Sequence, residues 1–224
     1  RFRLGLGPGG KTGMESTYGL EFRSPLSNLR EYVRILKALF KDGEVNFDGT
    51  YYHAHANIGG PVDVPVMVSA LRRSSFQFCG EEADGAITWL CPGPYLKDIA
   101  IPEMHRASEK KNQPHPKLIA HAVVCVHEDI SEVKTAMREQ MSFYPKQPHY
   151  AQMFADAGFP EAKTGEWSDG MINSVVFSGS ENKVNDRIEE LVSTGPAELL
   201  ISVITAGKDK AKSKERSMEF LGGL

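Results

Sequence analysis

Two segments of this chain bring glycines, a hydroxyl and guanidinium groups to places where an anionic ligand could be held. Phe2-Arg3-Leu4-Gly5-Leu6 is a short apolar strand that empties into Gly7-Pro8-Gly9-Gly10. With no Cβ at most of these positions, a bulky ligand could lie directly against backbone N–H groups. Pro65-Val66-Met67-Val68-Ser69-Ala70 is a second apolar strand, and Leu71-Arg72-Arg73-Ser74-Ser75 opens the helix that follows it. A strand turning straight into a helix offers free N–H groups and the positive end of a helix dipole. Ala70, Leu71, Arg72 and Ser74 therefore form a candidate phosphate site, and Gly7, Pro8 and Gly9 a candidate cradle for the rest of the ligand. The same residues would also serve an ordinary capped helix with two solvated arginines. Trp89 ends the next strand together with Leu90 and Cys91 and is a candidate pocket wall, although an aromatic there is as often core.

Other reactive residues carry less. His53-Ala-His55 has metal-ligand spacing, but it follows Tyr51-Tyr52 in an expected hairpin and no third ligand stands nearby, so no metal is expected. His121 and His127 sit in an apolar strand, where imidazoles are usually hydrogen-bonded core groups, and they and His149 receive no role. Glu81-Glu82 and the lysines at 208, 210, 212 and 214 read as solvated helix faces. The three cysteines, Cys79, Cys91 and Cys125, form no CxxC pair, which argues against a zinc ribbon or a disulfide framework and suits a reducing cytoplasm.

A formal net charge of −3 over 224 residues argues against the dense basic face that nucleic acid or a membrane surface demands. Small-molecule chemistry is favoured. No apolar run approaches the roughly 20 residues of a membrane helix.

The elements that must position these residues follow from periodicity. Ser24-Pro25 predicts a helix start, and Leu26, Leu29, Val33, Leu36 and Phe40 give one apolar stripe ending near Asp42-Gly43. Glu44 to His55 predicts a hairpin around Asp48-Gly49. A strand over 65–70, a helix to about Ala83, a strand over 84–90, a helical stretch from Pro94 to Lys111 with a break at Pro102, and a strand from Lys117 to His127 come next. Asp129 with Glu132 predicts a capping box; about 142–177 reads as irregular helix and loop. Ser180 caps a helix stopped by Gly195-Pro196, Leu199–Ile204 is the last strand, and a basic helix closes the chain.

Apolar strands without alternation are buried on both faces, which is the mark of a parallel sheet covered by helices. Five such strands suit an open doubly wound sheet or the C-terminal five-eighths of a (β/α)8 barrel. A strand beginning at the first residue favours the barrel, short of roughly three βα units of about 30 residues each.

In combination, five pieces carry a resemblance over nearly the whole chain: Arg1-Phe-Arg-Leu-Gly-Leu-Gly-Pro-Gly9, Leu29-Arg-Glu-Tyr-Val33, Phe47-Asp-Gly-Thr-Tyr-Tyr52, Pro65-Val-Met-Val68 with Ser69-Ala70, and Glu82-Ala-Asp-Gly-Ala-Ile-Thr-Trp89. The chain resembles the luciferase-like flavin- and deazaflavin-dependent oxidoreductases. The resemblance implies a (β/α)8 barrel, here a single partial domain over 1–224 holding strands four to eight with an insertion at about 130–180. It also implies a reduced cofactor, coenzyme F420 or FMN, across the C-terminal ends of the strands, with the Ala70–Ser74 turn at its phosphate. In the FMN-using branch the loop after the fourth strand often carries an arginine; Pro8 stands there, which favours F420. A 5-deazaflavin passes a hydride without readily activating oxygen, whereas FMN does both.

The resemblance thus implies an enzyme transferring hydride between F420 and a small organic substrate. Its proton donors would come from loops of the early strands, so no catalytic acid or base is named. An FMN-dependent monooxygenase served by a separate flavin reductase is the alternative. A non-redox barrel enzyme holding a substrate phosphate at Ala70–Ser74, or an inactive fragment offering only a partner surface, would also fit. Homodimers are common in the family.

Overall fold

Strands that start and stop together define one end of this molecule. In the computed structural model, which describes residues 2–224, β1 (Leu4–Leu6) pairs parallel with the strand Val66–Ser69 in the register Leu4↔Val66, Gly5↔Met67, Leu6↔Val68. Arg1, the first residue of the opening motif, lies outside the described residues.

In chain order, β1 is followed by a π-helical turn (Gly13–Thr17), α1 (Pro25–Asp42), β2 (Glu44–Asp48), β3 (His53–Asn57), β4 (Val66–Ser69), α2 (Arg73–Glu82) and β5 (Gly85–Ile87). Then come α3 (Gly93–Tyr95), a second π-turn (Leu96–Ala100), α4 (Ile101–Lys110), β6 (Lys117–Cys125), α5 (Ile130–Gln140) and α6 (Pro148–Asp156). A 3-10 turn (Pro160–Thr164), α7 (Asp169–Val175), β7 (Val176–Ser178), α8 (Glu181–Ser193), β8 (Glu198–Val203) and α9 (Lys210–Gly222) complete it. No helix among the described residues is long and apolar enough to cross a membrane.

Two compact units divide the chain: the described part of Arg1–Ile87 with Glu103–Lys117, and Thr88–Pro102 with Leu118–Leu224. The first holds the parallel run β1-β4-β5, with Met67↔Gly85 and Ser69↔Ile87 in register. Val66, Met67 and Val68 are buried on both faces, as an unalternating apolar strand requires. Arg30 pairs with Glu81 at 2.7 Å and with Glu82, and Arg34 meets Glu82 at 2.6 Å, so α1 is tied to the end of α2. The hairpin β2–β3 is antiparallel as expected, and its turn is held from α1: Glu31 accepts the N–H groups of Thr50, Tyr51 and Tyr52.

Gly80 sets the spacing between α2 and α4. A Cβ there would lie 2.2 Å from the Met104 carbonyl oxygen and 2.7 Å from the Ala107 Cβ. Gly80→Ala should therefore destabilise the protein by about 2 kcal/mol, because overpacking outweighs the ~1 kcal/mol gain in helix propensity. Urea unfolding followed by circular dichroism measures this; a midpoint equal to or above that of the parent would contradict the close approach.

In the second unit, β6 pairs parallel with β8 along Ile119–Val124 and with β7 at Val123–Cys125. Two buried serines of α9 cap the sheet's backbone: Ser217 Oγ accepts the Val126 N–H at 3.0 Å and Ser213 Oγ the Ala206 N–H at 3.1 Å. Cys79 in the first unit, and Cys91 and Cys125 in the second, are buried free thiols. Burial pushes the Cys91 thiol up to about 12 and the other two upward as well.

Several local expectations need correcting. Ser24 does not cap α1 with its hydroxyl; it sits in the left-handed region (φ 43°) before Pro25, and its carbonyl accepts the Asn28 N–H instead. No break occurs at Pro102, because the π-turn just before it absorbs the mismatch that a proline without an N–H creates. Asp129 caps α5 through the N–H groups of Ser131 and Glu132, but the Glu132 carboxylate turns to His127 Nε2 at 2.6 Å, so the reciprocal half of the capping box is absent. The stretch 142–177 contains two helices and the start of β7. The strand expected over 84–90 stops at Ile87, and Leu90 adopts a left-handed conformation (φ 56°).

Candidate functional site

Because β1 and β4 are parallel and in register at Leu6↔Val68, both candidate segments leave the sheet at the same edge. Gly7 lies against Ser69: a Cβ on Gly7 would come 2.7 Å from the Ser69 Oγ, so a side chain there would require the Ser69 hydroxyl to turn away. Gly9 adopts φ +71°, a conformation that side chains disfavour, and faces the Met14 side chain. Pro8 between them is half-buried, while Gly7 and Gly9 are exposed.

The turn after β4 is built differently from the sequence expectation. Ala70 is buried and donates its N–H to the Ile87 carbonyl at 2.9 Å. The N–H groups of Leu71 and Arg72, expected to be free for a ligand, both donate to Ser75 Oγ at 3.0 Å, and Ser75 donates in turn to the Arg72 carbonyl at 2.7 Å. The donors left open are the amides of Arg73 and Ser74, the first helical positions, which have no intrahelical acceptor.

The two arginines have parted roles. Arg73 pairs at 2.7 Å with Glu103, a buried carboxylate that also takes Gln77 at 2.9 Å and Arg106. Burial pulls the Glu103 carboxyl upward, but Gln77, Arg73 and Arg106 together hold it below the usual range. Arg72 and Ser74 are exposed, and neither enters an ion pair or hydrogen bond with another described side chain. One guanidinium, one hydroxyl and two backbone amides thus converge on the start of α2, a donor set suited to a phosphate.

In the second unit, Trp89 belongs to a polar cluster that no local sequence signal reveals. The Trp89 indole stacks on the His121 imidazole with centroids 3.6 Å apart and 13° between planes. Leu90 donates its N–H to His121 Nδ1 at 3.2 Å, and His121 Nε2 meets Ser202 Oγ at 2.9 Å. A backbone amide can only donate, so Nδ1 is the acceptor and Nε2 carries the proton. Burial lowers the His121 pKa to about 4 and keeps the ring neutral. His121 was expected to be a bonded core group and is one; what sequence could not supply is Ser202, 81 residues away.

The remaining histidines stand elsewhere. His53 Nδ1 and His55 Nε2 both face Asp48 Oδ1, at 2.9 and 3.1 Å, on the exposed hairpin. Among the described residues no group of His, Cys, Asp and Glu side chains could hold a metal ion.

Comparison with known proteins matches this geometry to a family. The chain is 25% identical over 98% of its length to a 5,10-methylenetetrahydromethanopterin reductase of Archaeoglobus fulgidus, spanning 71% of that protein. An F420-dependent secondary alcohol dehydrogenase, solved with an F420-acetone adduct, superposes with a TM-score of 0.74 at 15% identity, covering 98% of this chain and 69% of its own. The oxygenating constituent of a 3,6-diketocamphane monooxygenase from Pseudomonas putida, solved with FMN, does so with a TM-score of 0.67 at 16% identity, covering 98% and 68%. At such identities the solved structures speak for the fold alone, the parallel α/β architecture of the luciferase-like barrels. The family model described as luciferase-like monooxygenase matches residues 1–198, and the chain belongs to that family.

Proposed function

We propose that the protein is an oxidoreductase transferring a hydride between coenzyme F420 and a small organic substrate, and that Gly7, Pro8, Gly9, Ala70, Leu71, Arg72 and Ser74 hold the cofactor. The observation that carries this reading is the pair of side chains left uncommitted at the start of α2, Arg72 and Ser74, beside a glycine loop leaving the same sheet edge. The donor set fits a phosphate, and the Gly7 and Gly9 backbone fits close approach of a flat or extended ligand.

A bound 5-deazaflavin supplies the hydride chemistry. The residues of this chain do the holding. Arg72 and the Ser74 hydroxyl anchor the anionic tail, together with the Arg73 and Ser74 amides. Ser75 fixes the turn by engaging the Leu71 and Arg72 amides, and Glu103 holds Arg73 away from the anion. Hydride transfer needs donor and acceptor atoms held within about 3–3.5 Å, so rigid anchoring is the contribution asked of such a site. In this reading β1, β4, β5, β6 and β8 are the fourth to eighth strands of one barrel domain, and about 130–180, which contains β7, is the insertion.

A second reading keeps the fold and exchanges F420 for FMN, with oxygen as acceptor and a separate reductase; the likeness to an FMN-bound monooxygenase structure favours keeping it. Fluorescence titration of the protein with F420 and with FMN in parallel discriminates. Tighter binding of F420 is expected. A preference for FMN, with oxygen consumed in the presence of reduced FMN, would transfer the assignment to the monooxygenase reading.

A further inference from the structure

Two arginines stand side by side at the start of α2, and only Arg72 is open to a ligand. The Arg73 side chain is 55% exposed, so packing does not confine it; its ion pair with Glu103 does. Among the described residues Glu103 is the one buried carboxylate. Its two oxygens are engaged separately: Oε1 takes Arg73 at 2.7 Å, and Oε2 takes Gln77 at 2.9 Å and Arg106. Arg106, three residues further along α4, already balances the charge, so Arg73 is a second cation withdrawn from the ligand's side. A buried carboxylate holds such a partner firmly, because parting the two weakens the compensation of a charge that water cannot reach. An anion seated on the Arg73 and Ser74 amides therefore meets the Arg72 guanidinium while that of Arg73 stays turned to α4. Arg72, Arg73, Ser74 and Glu103 all belong to the first compact unit.

We infer that Glu103 determines specificity: by holding Arg73, it makes this turn select a singly charged phosphate diester over a doubly charged monoester. The inference rests on the cofactor reading above. A diester offers two terminal oxygens and one negative charge, whereas a monoester offers three oxygens and, near neutral pH, close to two charges. One guanidinium with the partial positive charge of a helix start balances the diester. The monoester's extra charge must be desolvated with no second free cation to meet it. The tail of F420 is joined through a phosphodiester and FMN ends in a monoester, so the same device separates the two cofactors by their tails. Glu103 touches neither; it acts through Arg73 as a positioning residue.

FMN and its methyl ester share ring and chain and differ only in this respect, which makes them the probes. In fluorescence titrations at about pH 8, the parent protein should bind the methyl ester about fivefold more tightly than FMN. Glu103→Gln keeps the shape and removes the charge that holds Arg73, so FMN should gain about tenfold, the ester little, and the order should reverse. Adding Arg73→Ala to Glu103→Gln should restore the parent order, which a general loosening of the turn would not do. FMN bound as tightly as the ester in the parent, or a reversal that survives Arg73→Ala, would overturn the inference. The parent comparison needs no variant and decides the matter even where Glu103→Gln does not fold. F420 titrated alongside separates the two claims. F420 binding that depends on Arg72 and Ser74, with FMN and its ester equal, would overturn the inference and leave the cofactor reading intact. No binding of F420, FMN or the ester would overturn both.

Discussion

Replacing Arg72 and Ser74 together by alanine should weaken F420 binding about a hundredfold, with the fold unchanged. A guanidinium bonded to an anion contributes about 1.5–3 kcal/mol and a hydroxyl about 1 kcal/mol, and tenfold in affinity corresponds to 1.4 kcal/mol. The two residues are adjacent, so their effects will not add strictly. Both side chains are exposed and bonded to no other described side chain, so neither replacement removes an internal interaction. Arg73→Ala is the informative contrast. It should leave affinity within about twofold but lower the melting temperature, because buried Glu103 loses one of its two arginine partners. Titration of the three variants by cofactor fluorescence, with thermal melts alongside, decides it. Unchanged affinity in the double variant would remove the phosphate from this turn.

Acid should unfold this protein through His121. The ring's ordinary value of 6.5 falls to about 4 in the folded chain because burial disfavours the imidazolium. Between those values the unfolded chain binds a proton that the folded chain does not, so the stability this ring contributes is lost as pH falls from 6.5 toward 4, and its own contribution changes no further below. The full loss is about 3 kcal/mol. Protonation also removes the acceptor that Nδ1 offers to the Leu90 amide, so the near-ultraviolet signal of stacked Trp89 should change over the same interval. Urea unfolding at intervals from pH 7 to 4 measures the slope. His121→Gln should flatten the part of that slope that belongs to this ring; an equal slope in the variant would place the acid sensitivity elsewhere.

The elements that sequence made legible are those whose signals are local. The apolar stripe from Leu29 to Phe40 produced α1 and its C-terminal glycine, and the unalternating run at Val66–Val68 announced a strand buried on both faces. The Asp48-Gly49 turn produced the hairpin. Where a residue's conformation is set by partners distant in sequence, the reading stopped short. The strand expected to reach 90 stops at Ile87 and the Leu90 amide bonds to His121, 31 residues on, while the Glu132 carboxylate bonds to His127 instead of closing the capping box. Pro102 is accommodated in a helix by a π-turn that no composition signal marks.

The candidate site shows the same division. Strand-to-helix geometry pointed to Ala70–Ser74, but which donors are open depends on Ser75, and which arginine is uncommitted depends on Glu103, 30 residues beyond Arg73. Those facts are three-dimensional. The Trp89 stack is a further instance, since the ring it lies on, His121, comes from β6 and is itself held by Ser202 of β8.

The buried thiols make the molecule its own clock. Only a thiolate reacts readily with an alkylating reagent, and burial has removed both the thiolate and the path to it at all three sulfurs. Each sulfur becomes reactive only when the shell around it parts, so its modification rate counts openings rather than chemistry. Since Cys79 lies in one unit and Cys91 and Cys125 in the other, labelling at each sulfur times the opening of the shell in its own unit.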